Sequence, residues 1–332
     1  MNRFSLNRRD LLATAATAAA GLAIPWAHAQ SSSVGDGRPV TLVVTYPPGG
    51  GADIMARIIA PRMAEALGQP VVVENRPGAS GQIAAGYVAR AKPDGTTLLV
   101  DASSFAVNPS LYATLPYDSN KAFTPLAVLA TFPNVMVCAP SFAAQNVQDV
   151  IAQAKAKPGE LAFASSGNGS AQHLAGELFE ERAGVRLTHI PYRGGAPALN
   201  DVMGGQVPLF FANVASALGH IQSGKLRALA VTNTQRARSL PQVPTMAEAG
   251  VAHYQVLEWN PVLAPAGVAA SVQERLVAAL RHALDGQDVR QRIHGLGGDV
   301  PADTSPKAAA AFIAQQQTFW GKIIRERNIT AG

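Results

Sequence analysis

Short runs of aliphatic and β-branched residues alternate with alanine-rich segments of helical periodicity along most of the chain, and this alternation restricts the fold more than any other feature. A strand followed by a helix and then by another strand builds a parallel sheet with helices on its faces. The sequence therefore predicts an α/β fold with two similar halves, joined by extended runs at 126–130 and 135–138. The other predicted strands are residues 41–45, 71–73, 97–100, 161–164, 187–190, 207–211 and 226–231.

Length and composition fit two modest globular domains. The chain has 332 residues, of which 48% are hydrophobic and 15% charged, as in compact globular proteins. The formal net charge is only +5 and the basic residues are scattered, so we expect no nucleic-acid partner. The single cysteine, Cys138, excludes an internal disulfide, and the histidines lack the spacing of a zinc site, so we expect no metal and no cofactor.

The first 29 residues have the order of an export signal. Arg8 and Arg9 precede a short apolar run at 13–24, and an A-x-A pattern follows at 27–29. This order is typical of a cleaved secretory signal, and paired arginines are typical of the twin-arginine route. We expect export to the periplasm by that route and cleavage after Ala29. An amphipathic helix or an uncleaved anchor is the alternative.

The first predicted strand ends in a glycine-rich loop, residues 46–53, that leads into a helix. Glycines let a ligand approach the backbone, and the unpaired N–H groups at the start of a helix bind anions. We expect Asp53 to cap this helix and Pro61 to kink or divide it. A dinucleotide fingerprint would need a third glycine where Ile54 stands, although Glu74 mimics the acid of that fingerprint. The loop therefore indicates an anion site first and a nucleotide site second.

A second loop of small polar residues, 165–173, also separates a strand from a helix. Ser170 either caps the helix or lies in its first turn. Capping alone would explain one serine only, so anion binding at the helix start explains the loop better. Ser170 is a poor candidate nucleophile because no G-x-S-x-G elbow is present. His173 either contacts the ligand or is a hydrogen-bonded core residue, and both interpretations stay open.

A third loop, residues 191–197, contains a basic residue among glycines. Arg193 is a natural counter-charge for a carboxylate. The alternative is an arginine that is solvated on the surface. The neighbouring Gly194 allows close approach of the backbone.

Six segments carry motifs in a characteristic order: PPGGGAD at 47–53, VENRPGASG at 73–81, NPSLY at 108–112, SGNGS and HLAGE within 166–177, IPYRG at 190–194 and LAVT at 229–232. In this order they resemble the Bug family, the periplasmic substrate-binding proteins of tripartite tricarboxylate transporters. The resemblance spans about residues 38–325, nearly the whole chain after the predicted signal.

The resemblance implies a two-lobe type II periplasmic-binding-protein fold, in which each lobe is a mostly parallel sheet flanked by helices and the ligand lies in the cleft between lobes. We expect residues 38–133 and about 228–258 to form lobe 1. Residues 134–227 and about 259–332 are then expected to form lobe 2. The resemblance also implies a monomer that captures a small organic carboxylate and delivers it to integral-membrane transporter subunits or a sensor kinase, without catalytic residues. An exported α/β enzyme, nicotinamide-dependent or a serine hydrolase, is the alternative.

The loops and the resemblance together define a set of expected ligand contacts. The family often has an acidic residue where this chain has Ala212, which slightly disfavours ligands that carry an amino group. The residues expected to bind the ligand are Tyr46, Gly49, Gly50, Gly51, Ala52, Ser80, Ser103, Ser104, Ser165, Ser166, Asn168, Gly169, Ser170, His173, Arg193, Gly194 and Asn213.

Overall fold

The computed structural model describes residues 34–330, so the predicted export signal lies outside the described residues. The strands are β1 (Val40–Val44), β2 (Val71–Asn75), β3 (Thr97–Val100), β4 (Phe123–Cys138), β5 (Ala162–Ser165), β6 (Thr188–Pro191), β7 (Leu209–Asn213), β8 (Arg227–Val231) and β9 (Leu257–Pro265). The α-helices are α1 (Gly51–Leu67), α2 (Gln82–Ala89), α3 (Ser104–Leu111), α4 (Val147–Ala156), α5 (Ala171–Ala183), α6 (Gly195–Met203), α7 (Val214–Gln222), α8 (Ala270–Asp285), α9 (Gln287–Gly295) and α10 (Pro306–Arg327). In this part of the chain, no helix is both long and apolar enough to span a membrane.

The strands form a sheet with the order β2-β1-β3-β9-β4-β7-β5-β6, and β8 pairs with β4 off this path. β1 runs parallel to β2 and β3, and β5 runs parallel to β6 and β7. Every antiparallel pair in the sheet includes β4 or β9. The predicted repetition of a parallel α/β unit is therefore confirmed, and each unit places its strand ends and helix starts at one edge.

β4 is the strand that both parallel units share. Residues 123–133 pair with β9, whereas residues 134–138 pair with β7 and β8. We call the first group of strands, β2-β1-β3-β9 with residues 123–133, the first half-sheet. The second half-sheet consists of residues 134–138 with β8, β7, β5 and β6. The two predicted crossover runs are thus parts of one strand, and two register shifts interrupt its pairing with β9.

Strand pairing corrects the expected assignment of the later segments. β8, expected in lobe 1, pairs with residues 135–138 in the second half-sheet. β9, expected mostly in lobe 2, pairs with β3 and residues 123–133 in the first half-sheet. The reason is hydrogen-bond register, which chain order does not reveal: the chain passes from the second half-sheet back to the first between β8 and β9.

The helix α1 shows how the apolar pattern positions the first loop. Met55, Ile59 and Met63 are fully buried in one core cluster with residues of α8, so their spacing of four residues forms one apolar face of the helix. Pro61 lies inside α1, and the helix continues to Leu67. Of the two expectations for Pro61, a kink or a division of the helix, the division is therefore wrong.

Candidate functional site

The loop before α1 offers backbone N–H groups rather than side chains. Gly50 is the N-cap residue, and no side chain accepts a hydrogen bond there. The N–H groups of Gly51 and Ala52, in the first turn, have no partner within the helix. Gly49 has a left-handed backbone, with φ at +82°, a conformation that glycine adopts without strain. The start of α1 is therefore prepared to accept an anion.

Asp53 fixes the shape of this loop from within α1 instead of capping the helix. Its carboxylate accepts a hydrogen bond from the N–H of Gly49 at 2.9 Å and pairs with Arg57 at 3.0 Å. Burial raises the pKa of Asp53, but hydrogen bonds from Arg57, Gly49 and Asn75 outweigh it and hold the pKa below its usual value. The capping prediction is wrong because the N-cap residue is Gly50, and Asp53 lies in the first turn of the helix.

The loop before α5 presents the second helix start. Ser170 is its N-cap: the hydroxyl accepts from the N–H of His173 at 3.2 Å and donates to the carbonyl of Gly167 at 2.7 Å. The first-turn N–H groups of Ala171 and Gln172 have no partner within the helix. Because the hydroxyl is used inside the loop, the N–H groups remain as donors for an anion.

The starts of α1 and α5 face each other across a narrow cavity between the two half-sheets. Of the expected ligand contacts, its lining contains Tyr46, Gly50, Gly51, Ser166, Ser170 and Asn213. Sequence analysis did not single out the other lining residues, Ala102, Ala171, Gln172, Gly195, Phe210, Ser216 and Glu258. None of these cavity-lining residues is a lysine, an arginine or a histidine.

Several expected contacts lie outside the cavity lining. Ser80 donates to the carbonyl of Asn168 at 2.6 Å, and the carbonyl of Gly49 accepts from Ser216 at 3.1 Å. Gly194, with φ at +120°, lies so close to Pro47 that a Cβ there would stand 2.7 Å from a ring carbon. Each of these contacts joins a loop of the first half-sheet to a loop or helix of the second half-sheet. Ala52 is buried within the first turn of α1.

A chain of hydroxyl groups holds Tyr46 in the cavity wall. The hydroxyl of Tyr46 donates to Ser104 at 3.0 Å, and Ser104 lies 3.4 Å from Asp101. Asp101 is fully buried, and Thr45 donates to it at 2.7 Å. Burial raises the pKa of Asp101 to about 6. Burial also raises the pKa of Tyr46, and the nearby Asp101 raises it further.

Ser103, another expected contact, is buried beside this chain and does not line the cavity. Within the described part of the molecule, its hydroxyl has no hydrogen-bond partner.

Ser165, Gly169 and His173 lie outside the cavity lining and stabilise the loop at 165–173. Ser165 lies 2.6 Å from Nε2 of His189, and the rings of His189 and His173 stack with centroids 4.0 Å apart. Nδ1 of His173 accepts from the N–H of Gly169 at 3.1 Å. Burial and the neighbouring His173 lower the pKa of His189 to about 3. His173 is thus a hydrogen-bonded core residue, one of the two interpretations of the sequence.

Gly169 also differs from its expected place. A Cβ at this residue would stand 2.7 Å from Leu111 on α3 and not in the cavity. Arg193 is exposed and lies outside the cavity lining, as a solvated surface arginine does. In residues 34–330 there is no group of three or more His, Cys, Asp or Glu side chains that could hold a metal ion.

Glu258, which sequence analysis missed, is the cavity-lining residue that carries a carboxyl group. It lies on β9 opposite Phe132 and is buried. Its Oε2 accepts a short hydrogen bond from Nε2 of Gln172, and the same amide also donates to Asn134 at 3.1 Å. Burial raises the pKa of Glu258, although the hydrogen bond from Gln172 and the nearby amide of Asn213 lower it in part.

Comparison with known proteins identifies the family. Residues 55–329 match the model described as the tripartite tricarboxylate transporter family receptor. The chain belongs to this family. Protein BugT of Bordetella pertussis is 38% identical over 311 residues, which cover 93% of this chain and 94% of BugT. The resemblance to Bug proteins is therefore confirmed.

Solved structures of relatives share the fold of this family receptor. R. palustris Rpa4515 with adipate is 35% identical, with a TM-score of 0.85, and the match covers 88% of this chain and 98% of that one. MatC from Rhodopseudomonas palustris with bound malate is 33% identical, with a TM-score of 0.82, and the match covers 86% and 99% of the two chains. The expected periplasmic-binding-protein fold is thereby confirmed.

The raised pKa of Asp101 predicts a pH dependence of stability. The pKa is about 6 in the folded protein, against 3.8 for an ordinary aspartate, so the fold favours the protonated form. The stability that the raised pKa contributes to the fold is fully present below about pH 4 and is lost as the pH rises through about 6. Asp101→Asn lacks this ionisable group. Its free energy of unfolding, relative to that of wild type, should therefore rise by about 3 kcal/mol from pH 4 to pH 7.

Denaturant unfolding of both proteins at the two pH values measures this difference. The same substitution at the exposed Asp118 is the control for the loss of one carboxyl group at the surface. Parallel pH profiles of wild type and Asp101→Asn would show that Asp101 ionises freely in the fold.

Proposed function

We propose that this receptor captures a small organic carboxylate in the cavity between its half-sheets and delivers it, as a monomer, to a tripartite tricarboxylate-type membrane transporter or to a sensor kinase. The observation that carries the proposal is the meeting of two helix starts, at Gly51 and Ala171, in one cavity. Two helix N-termini supply partial positive charge and unpaired N–H donors. The ligands in the structures of Rpa4515 and MatC, adipate and malate, are small organic carboxylates.

The cavity lining contains no basic side chain, so the proposed ligand carboxylate has to be bound by other donors. Backbone N–H groups and hydroxyls are fixed dipoles that bind a carboxylate without a permanent positive charge. We infer that the carboxylate contacts Gly51 and Ala52 from one half-sheet and Ala171 and Gln172 from the other. A ligand that bridges both helix starts stabilises the closed arrangement of the cleft.

A receptor explains the site better than an enzyme does. Ser165 and His189 are 2.6 Å apart, as a nucleophile and its base would be, but neither lines the cavity. The first loop carries Ile54 where a dinucleotide site has glycine. Glu74, the candidate ribose-binding acid, forms an ion pair with Arg76.

Ligand binding should raise thermal stability. A carboxylate present at 100 times its dissociation constant stabilises the folded receptor by about 2.7 kcal/mol. Gly51→Ala should abolish this effect, because a Cβ at Gly51 would stand 2.7 Å from Oε1 of Glu258 and 2.9 Å from Nδ2 of Asn213. We expect a thermal-shift screen of mono-, di- and tricarboxylates to show a response with wild type and none with Gly51→Ala.

Gly219→Ala is the matched control. Gly219 lies in α7, and a Cβ there has no neighbour within 4 Å, so this variant should respond as wild type does. The proposal is contradicted if no carboxylate at millimolar concentration stabilises wild type, and a response to nucleotides instead would favour an enzyme.

We also propose that the protein works in the periplasm after export by the twin-arginine route and cleavage after Ala29. The argument rests on residues 1–29, where Arg8 and Arg9 precede the apolar run. The relatives agree with this location, since BugD is described as a periplasmic binding protein.

Replacing Arg8 and Arg9 by lysine should block this route, because the paired arginines are read as an address and not as charge. The measurement is the yield of mature protein in the periplasm together with its N-terminal sequence. We expect the native protein to begin at Gln30 and the lysine variant to accumulate uncleaved in the cytoplasm. Unchanged periplasmic yield of the variant would refute the route, and a mature protein beginning at Met1 would refute cleavage.

A further inference from the structure

The carboxyl group of Glu258 lies where three helices begin. Gln172, its hydrogen-bond donor, is in the first turn of α5. Oε1 faces Gly51, the first residue of α1. The amide of Asn213, the N-cap residue of α7, is the other neighbour of Gly51. The side chain thus brings a built-in carboxyl group into the space where the proposed ligand carboxylate has to bind.

No positive side chain balances this acid within the cavity lining. Glu258 accepts from the amide of Gln172, the amide of Asn213 lies nearby, and the buried Asp101 interacts with Glu258 electrostatically. Two carboxylates close together in a buried site repel each other strongly, whereas an ammonium group beside a carboxylate is attracted. A second carboxylate on the ligand is therefore disfavoured in this cavity, and an ammonium group is favoured.

We propose that Glu258 determines specificity by pairing with an ammonium group of the ligand and by repelling a second carboxylate, so that this receptor selects amino acids over dicarboxylates. This inference rests on the proposed function and deepens it. One ligand carboxylate binds the helix N–H groups, and the ammonium group lies against Glu258.

The geometry supports this role in a second way. β9 alternates its side chains, so Glu258 faces the cavity while Trp259 is buried in the core cluster with Phe105 and Phe123. Gln172 holds Oε2 and is itself held by Asn134, which fixes the carboxyl group in one orientation. Burial raises the pKa of Glu258, and a bound ammonium group would restore its ionised form.

Calorimetry with matched ligand pairs tests the inference. In each pair a carboxylate replaces an ammonium group: glycine with malonate, β-alanine with succinate, 4-aminobutyrate with glutarate, and 5-aminopentanoate with adipate. We expect wild type to bind at least one amino acid about tenfold more tightly than its matched dicarboxylate. Glu258→Gln, which removes the charge and keeps the shape, should lose that preference and gain affinity for the dicarboxylate.

Two further variants separate the charge of Glu258 from its effect on folding. Glu258→Asp keeps the charge and should keep the order of preference. Glu160→Gln makes the same chemical change at an exposed residue paired with Lys157, and it should bind as wild type does. Circular dichroism and thermal melting confirm that each variant is folded.

The outcomes distinguish this inference from the function on which it rests. If wild type binds the dicarboxylates as tightly as the amino acids, and Glu258→Gln leaves the ratio unchanged, the selective role of Glu258 is wrong while carboxylate capture stands. If folded wild type binds none of the probes and also fails the wider carboxylate screen, the proposed function falls and the inference falls with it.

Discussion

The site depends on one constraint: the carboxyl ends of the parallel strands in two half-sheets meet at a single cleft, and each strand there is followed by a helix. β1 leads to α1, β5 to α5 and β7 to α7, so three helix starts face the same space. Because β4 belongs to both half-sheets, a continuous strand fixes the relation between them. The positive ends of the helix dipoles then supply what a basic side chain would supply elsewhere.

The electrostatics of the cleft follow from this arrangement. A site made of N–H dipoles can accommodate buried acids, and this one contains Glu258 in its lining and Asp101 directly behind Tyr46. Both acids have pKa values raised by burial. In the proposed binding mode, the balance between helix dipoles and buried acids decides which ligand charges fit, and small changes at either kind of group should change specificity without changing the fold.

Sequence reasoning predicted the parts of the site that have a local signature. Glycine and small polar residues between a strand and a helix marked the loops at 46–53 and 165–173, and the structure brings both to the cavity. It could not predict Glu258 or Gln172, because an acid within an apolar strand and an amide within a helix have no local pattern that indicates a ligand. Their role depends on the pairing of β9 with β4, a contact between residues far apart in sequence.

Where the structure departs from the expectations, the origin is the same. The exchange of β8 and β9 between the halves was invisible because strand order along the chain does not determine pairing order. Arg193 was expected from its charge, but it is exposed and lies outside the cavity lining. Gly169 was expected to face the ligand, whereas its left-handed backbone turns the Cβ position toward Leu111.

The central claim is that backbone N–H groups of two opposed helix starts hold the ligand's carboxylate. A crystal structure of the receptor with the carboxylate that stabilises it most tests this directly. The account predicts carboxylate oxygens within about 3.2 Å of the nitrogen atoms at Gly51 or Ala52 and at Ala171 or Gln172. A ligand that binds outside this cavity, or a carboxylate that pairs with Arg193 while those N–H groups stay unpartnered, would contradict it.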